Sequence, residues 1–257
     1  SVLSLSGELI GEMGQVSPQG LFELSIDSDQ RFYYQLEVDY GDAKHTVIDP
    51  YQFHEQAYDG LATMSHAPQN LYQVLGAQVK TVEVNGHSVS GVRFAMYAPS
   101  AMSVSLIGEF NYWDGRRLPM QRSLDGHWVL FVPGLEAGTK YKYELKDSQG
   151  HSLPHKTDPV GFCAEQYPSF ASVVWDHQQY QWHDQDWIES QKTDKRLQPM
   201  SIYEVHLGSW RRKLEANKAS YLSYRELAIE LVDYVKEMGY THIEVLPISE
   251  YPFDGSW

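Results

Sequence analysis

The sequence predicts a mainly β chain: two tandem β-sandwiches, then a strand, a helix and a strand that open an α/β region. Three observations carry this. From Leu21 to about Trp175 the apolar residues recur mostly at every second position and are broken by Gly, Asp, Asn and Pro, the pattern of short antiparallel strands with turns. A set of strand and turn residues recurs along the chain at an almost constant spacing. After about residue 200 the apolar period changes from two to that of a helix framed by strands.

The clearest strands are Val92–Tyr97, Val104–Ile107, His127–Val132 and Lys140–Leu145. The span 72–176 has the ~100 residues that a seven-stranded sandwich needs. The repeat adds a second sandwich. Phe32-Tyr33-Tyr34-Gln35-Leu36, Gly41 and Asp49-Pro50 match Tyr141-Lys142-Tyr143-Glu144-Leu145, Gly150 and Asp158-Pro159 at an offset of 109. Upstream, Gly20-Leu21-Phe22-Glu23-Leu24 matches Gly126-His127-Trp128-Val129-Leu130 at an offset of 106. Only about 20 residues precede the first hairpin where the second copy has about 50. The reading therefore expects a partial sandwich over 1–56, a connector over 57–71, a complete sandwich over 72–176 and a linker over 177–198.

Residues 199–257 open the α/β region. Ser201–Leu207 is a short apolar run, and Ser223-Tyr224-Arg225-Glu226 fits the S-x-x-E capping box, in which serine and glutamate oxygens take up orphan amides at a helix start. Leu227, Leu231, Val235 and Met238 then lie on one helical face, and Gly239 supplies the left-handed stop. His242–Pro247 returns as a strand. Strand, helix and strand make one right-handed βαβ unit.

Composition narrows the function classes. With 42% hydrophobic and 21% charged residues the chain is globular in type, and a net charge of −14 opposes phosphate backbones and anionic lipid. Nucleic acid and membrane are excluded as partners. Neither a signal peptide nor an apolar run of about 18 residues is present. Cys163 is the only cysteine, so no internal disulfide forms; it reads as a small buried hydrophobe, with a catalytic thiol as the lesser alternative. These features point to a cytoplasmic protein. The 13% aromatic content, with seven Trp and 18 Tyr, suits surfaces that meet neutral, hydroxyl-rich ligands.

Phosphate loops, G-x-G-x-x-G and G-x-S-x-G are missing, and neither His151 with His155 nor the His177, His183, Asp184, Asp186 cluster reads as a metal site. No cofactor or metal is expected. The strongest local signal is Gly108-Glu109-Phe110-Asn111-Tyr112-Trp113-Asp114-Gly115, an aromatic turn closing a strand. Trp113 has two readings, a flat platform for a sugar ring or a plug in the sandwich core. As a platform it buries ~100 Å², at most ~2.5 kcal/mol at about 25 cal/mol/Å², so one ring alone gives millimolar binding or weaker.

Residues 108–115, with Tyr141-Lys142-Tyr143 and the Asp158-Pro159 exit, resemble the immunoglobulin-like glycogen-binding sandwich of carbohydrate-binding module family 48. Tyr203-Glu204-Val205-His206-Leu207-Gly208-Ser209-Trp210, Tyr224–Ala228, Met238–Pro247 and Glu250–Trp257 resemble the opening of the (β/α)8 catalytic barrel of bacterial glycogen branching enzymes, of glycoside hydrolase family 13. The resemblance runs from about residue 20 to the last. It implies the amino-terminal portion of a transglycosylase that cleaves an α-1,4 linkage and moves the chain to a 6-hydroxyl, through two carboxyl groups about 5–5.5 Å apart. The partner it implies is an α-glucan such as glycogen or amylose-like chains.

Eight βα units take about 250 residues, so the 57 residues from 201 to 257 hold only the start of such a barrel. The family's catalytic carboxylates lie on later strands and none maps here; Glu204, Glu244, Glu250 and Asp254 are not assigned that role. The chain alone is expected to be inactive and monomeric. Trp113, Lys142 and Asn111 are the candidate carbohydrate-binding residues, and Tyr251 and Trp257 are barrel-mouth scaffold. A second platform ring expected after Lys142 is missing, since that hairpin reads Gly150-His151-Ser152-Leu153. The first copy has Tyr33 in place of Lys142 and no Trp, which suits a spacer. Two alternatives stand beside this reading: a free-standing glucan-binding or regulatory module, and the amino-terminal part of an isoamylase-type debranching hydrolase.

Overall fold

In a computed structural model the chain is mainly β, and the structure describes residues 1–61, 70–166, 168–190, 198–215 and 218–248. It divides into two compact units, 1–179 and 180–257.

The first unit begins with β1 (Val2–Ser4), β2 (Leu9–Gly11), β3 (Gly14–Ser17), β4 (Leu21–Glu23), β5 (Tyr34–Asp39) and β6 (Lys44–Val47). They form an antiparallel sheet ordered β2-β1-β5-β6 and a separate β3-β4 hairpin. Among the described residues two short helices follow, α1 (His54–Tyr58) and α2 (Leu71–Val74), and then the second sandwich. Its strands are β7 (Gly76–Val84), β8 (His87–Tyr97), β9 (Ser103–Gly108), β10 (Gln121–Arg122), β11 (His127–Pro133), β12 (Lys140–Lys146), β13 (Cys163–Ala164) and β14 (Ser172–Val173). One sheet is ordered β10-β11-β8-β7 and the other β13-β14-β12-β9.

Alternation explains the core. Val92, Phe94 and Met96 of β8 and Trp128, Leu130 and Val132 of β11 point inward against Val104 and Leu106 of β9 and Tyr141, Tyr143 and Leu145 of β12. The intervening residues of β8 and β11 are also buried, because residues 53–61 cover the outer face of that sheet. Phe53 packs there on Phe131 with Ala57 and Leu61. Arg93, itself buried, reaches out of the same sheet: its Nε donates to the Ala57 carbonyl at 2.8 Å, and its Nη1 donates to the Val74 carbonyl. A buried guanidinium thus closes the carboxyl ends of both short helices, where carbonyls lack helical partners.

The repeat is visible in three dimensions. At offset 109, Tyr34 and Tyr143 donate their hydroxyls to Asp49 and Asp158, at 2.5 and 2.9 Å. The amides of Tyr51 and Val160 donate to the other oxygen of the same carboxylates, both at 2.9 Å. At offset 106, the hairpins between β3 and β4 and between β10 and β11 share one turn. Gly20 and Gly126 both have φ +92°, their amides donate to the carbonyls of Ser17 and Ser123, and those serines donate to Gln19 and Asp125. Only glycine adopts that φ without strain.

Cys163 departs from its expected burial. It lies half-exposed on β13, because a two-residue edge strand has a neighbour on one side only.

In the second unit, α3 (Gln185–Ser190) is a short helix in a stretch that shows no apolar period. It is followed by β15 (Ile202–Val205), α4 (Leu207–Trp210), a β16–β17 hairpin (Arg212–Glu215 and Lys218–Tyr221), α5 (Tyr224–Glu237) and β18 (His242–Val245). β15 and β18 pair in parallel, with Tyr203 opposite Ile243 and Val205 opposite Val245. The α5 cap forms as its sequence requires: the Glu226 amide donates to Ser223 Oγ at 3.3 Å and the Ser223 amide donates to Glu226 Oε2 at 2.7 Å. Leu231 and Val235 of α5 pack on Tyr203 and Val205. Glu204 and Glu244 face each other on the opposite side of the pair, both exposed. Among the described residues no helix is long and apolar enough to cross a membrane.

Candidate functional site: the aromatic face of the second sandwich

The loop after β9 is built to project. Gly108 starts a 3-10 turn over Glu109–Asn111, and Tyr112 and Trp113 then both take left-handed φ, +58° and +59°. Each such residue costs roughly 1–2 kcal/mol, so the surroundings must hold the turn in place. Asn111 does this from beneath. Its Oδ1 accepts from the Gly108 amide and its Nδ2 donates to the Leu106 carbonyl, both at 2.9 Å. Asn111 is buried, with both ends of its amide engaged by the loop backbone, so it braces the turn and presents nothing to a sugar.

The Trp113 amide donates to the Gly108 carbonyl at 2.9 Å, which closes the turn. The indole is half-buried and stands outside the sandwich core, where the tryptophan is Trp128. Its two readings are thereby separated: it does not plug the core. Tyr112 beside it is exposed, with the Arg117 guanidinium 5.2 Å from its ring centre. Asp114 accepts from Arg116 Nε at 2.9 Å and Nη2 at 2.8 Å, and this contact holds its pKa down at about 2. Gly115 packs against the Glu144 carboxylate of β12, which a side chain at position 115 would have to displace.

Lys142 projects from the outer face of β12. Its ammonium lies 5.5 Å from the centre of the Trp113 ring and 3.5 Å from that of Phe170. Both distances are within cation–π range. Phe170 is 58% exposed and precedes β14. It is a ring the sequence reading missed, 28 positions from Lys142 and on another hairpin. An exposed phenylalanine in the polar stretch before Ala171-Ser172-Val173 was the available signal. Lys140, two residues from Lys142 on the same face, is held by Glu165 at 2.9 Å. Two rings sharing one ammonium suit apolar ring faces with hydroxyls at their edges.

In the first sandwich the corresponding face is absent. β1 and β5 pair as β9 and β12 do, with Ser4 opposite Tyr34 and Leu106 opposite Tyr143. After β1, however, only Leu5 to Glu8 lead to β2, where the second copy carries the whole Trp113 loop. Tyr33, aligned with Lys142, packs against Phe53 at 5.3 Å. Tyr251 and Trp257 lie outside the described residues.

Residues 74–161 match carbohydrate-binding module 48 (isoamylase N-terminal domain). The matched stretch lies within the second sandwich and contains the β9 loop and β12, while β14 and Phe170 follow it. The wider chain is similar to the 1,4-alpha-glucan branching enzyme GlgB of several bacteria. It is 57% identical to that of Pseudoalteromonas atlantica over 225 residues, covering 87% of this chain and 31% of the relative. It is 52% identical to that of Vibrio cholerae over 242 residues, covering 93% and 32%, and 46% identical to that of Rubrobacter xylanophilus over 260 residues, covering 100% and 35%. The chain thus carries a stretch that matches carbohydrate-binding module 48 and is similar to these 1,4-alpha-glucan branching enzymes over most of its length. It spans about a third of the length of these relatives.

Proposed function

We propose that this chain is the amino-terminal portion of a 1,4-α-glucan branching enzyme, acting in glycogen biosynthesis in the cytoplasm. In the whole enzyme an α-1,4 linkage is cleaved and the chain is transferred to a 6-hydroxyl, giving an α-1,6 branch. On this reading residues 1–56 form a spacer sandwich, 72–176 the glucan-binding sandwich and 199–257 the start of the catalytic barrel, joined by 57–71 and 177–198. The catalytic carboxylates belong to later barrel strands.

The observation that carries the proposal is the Trp113, Lys142 and Phe170 face, set on a module-48 domain in a chain so similar to branching enzymes. Two rings of ~100 Å² contact each offer up to ~5 kcal/mol together, before the cost of ordering the ligand. Such a face holds a multivalent glucan through repeated weak contacts rather than one tight site. The parallel βαβ unit favours an enzyme over a free-standing module, because two paired strands with open edges have no use except within a larger sheet.

Affinity electrophoresis of the 257-residue chain through glycogen tests the binding. Retardation that Trp113→Ala abolishes supports it, and equal mobility of parent and variant counts against it. Incubated with amylose, the chain should leave the iodine colour unchanged; loss of colour would show that it carries catalytic groups.

A further inference from the structure

We propose that Asp158 and Ser172 are positioning residues of the glucan-binding face: with Tyr141 they fix, from inside the sandwich, the segment that brings Phe170 against Lys142. The inference rests on the glucan-binding reading above and adds to it how the second ring is held.

Comparison of the two copies isolates the device. Each sandwich has the same Tyr–Asp pair, Tyr34 with Asp49 and Tyr143 with Asp158, and in each the second carboxylate oxygen accepts an amide two residues on. That shared part belongs to the fold, since the first copy has it and lacks the Trp113 loop. The second copy extends it. Tyr141 donates a further hydroxyl to Asp158 Oδ2 at 2.8 Å, where the first copy has Phe32 and no hydroxyl. The Asp158 amide donates to Ser172 Oγ at 2.9 Å.

These two contacts lead to the site. Tyr141 stands opposite Ser172 in the β12–β14 ladder, so carboxylate, tyrosine and serine tie β14 to β12 at one level. Phe170 is two residues before Ser172, and Ala171 between them is buried. Ala171 is pinned in turn, its amide donating to Glu165 Oε2 at 3.0 Å and its carbonyl accepting from the Glu165 amide at 2.9 Å. Phe170 thus leaves a segment fixed at the two residues that follow it. Its ring is exposed, yet the backbone beneath it is set, which lowers the ordering cost when a ligand binds. Asp158 and Ser172 touch no ligand and act through Phe170.

The test uses Tyr141→Phe, Ser172→Ala and their combination in the 257-residue chain. Tyr141→Phe recreates in the second sandwich what Phe32 gives the first, with core volume kept. Two readouts are needed: the upfield ring-current shift that Phe170 imposes on the Lys142 ε-methylene protons, and the Kd for maltoheptaose. The combined variant is expected to lose more than about half of the shift and to raise Kd about three- to tenfold, while Ser172→Thr, which keeps the acceptor, retains both. An unchanged Lys142 shift and Kd in the folded variant overturns the proposal. Should the combined variant not fold, Ser172→Ala against Ser172→Thr makes the same decision. A parent chain that binds no maltoheptaose overturns the glucan-binding reading instead, and the Lys142 shift still decides whether the lock places Phe170.

Discussion

The two sandwiches share a strand plan, a hairpin turn and a Tyr–Asp pair, yet one is a finished core and the other is open. Phe22 and Trp128 occupy the same place in the repeat, but Phe22 is 51% exposed and Trp128 is 5% exposed. The cause is β8. In the second copy β11 pairs with β8 along seven residues, whereas β4 pairs only with β3 among the described residues. Without a strand in that place the inner face of β4 has no neighbour at its side. The difference extends to the proposed glucan face: the copy with the closed core also carries the projecting aromatic loop, and strained backbone needs a rigid support.

The comparison can be broken most strongly at the Tyr–Asp pairs. Asp158→Ala should destabilise the chain by about 3–5 kcal/mol in urea unfolding, since it strands two buried hydroxyls and an amide. Asp49→Ala, on the half-exposed copy, should cost about 1 kcal/mol. Equal costs would mean that the first core is as closed as the second. Next come the apolar partners. Leu130→Ala should cost about 3 kcal/mol and its counterpart Leu24→Ala about 1 kcal/mol, because Leu130 is fully buried and Leu24 is not.

At the site the expected effects move from stability to binding. Trp113→Ala should remove most retardation by glycogen and change Tm by less than about 2 °C, since the ring lies outside the core. A large fall in Tm without loss of binding would return Trp113 to a structural role. The smallest expected effect is that of pH. Asp114 has its pKa lowered to about 2 by Arg116, so its contribution to the loop is full above the ordinary aspartate range and is lost as pH falls from there through about 2. Glycogen retardation should accordingly stay flat between pH 7 and about pH 4 as far as Asp114 is concerned. A midpoint in the ordinary aspartate range that Asp114→Asn removes would show that the Arg116 contact does not hold in solution.

Local chemistry made much of this legible. The α5 capping box, the Gly239 stop, the alternating strands and both copies of the glycine turn are written in contiguous residues. The non-local parts were not. Phe170 reaches Lys142 only because β14 folds back beside β12, and nothing near Lys142 in the chain announces it. Asn111 read as a sugar ligand because an asparagine in an aromatic loop fits either role; its burial follows from the left-handed turn at Tyr112 and Trp113, which short-range pattern does not encode. Residues 53–61 straddle the partial sandwich expected over 1–56 and the connector expected over 57–71, and their apolar cover on β8 and β11 depends on a sheet that short-range pattern does not show. Helix α3 was missed because six residues are too few to show a period.

The central claim is that a glucan meets the second sandwich at Trp113, Lys142 and Phe170 and passes over the first. Titration of the isotope-labelled chain with maltoheptaose, followed by NMR, tests it residue by residue. The account predicts shifts at the Trp113 indole N–H, through 108–115 and at Lys142 and Phe170, with Trp128 and residues 1–48 unmoved. Shifts centred on the first sandwich, or none at the Trp113 indole, would contradict it.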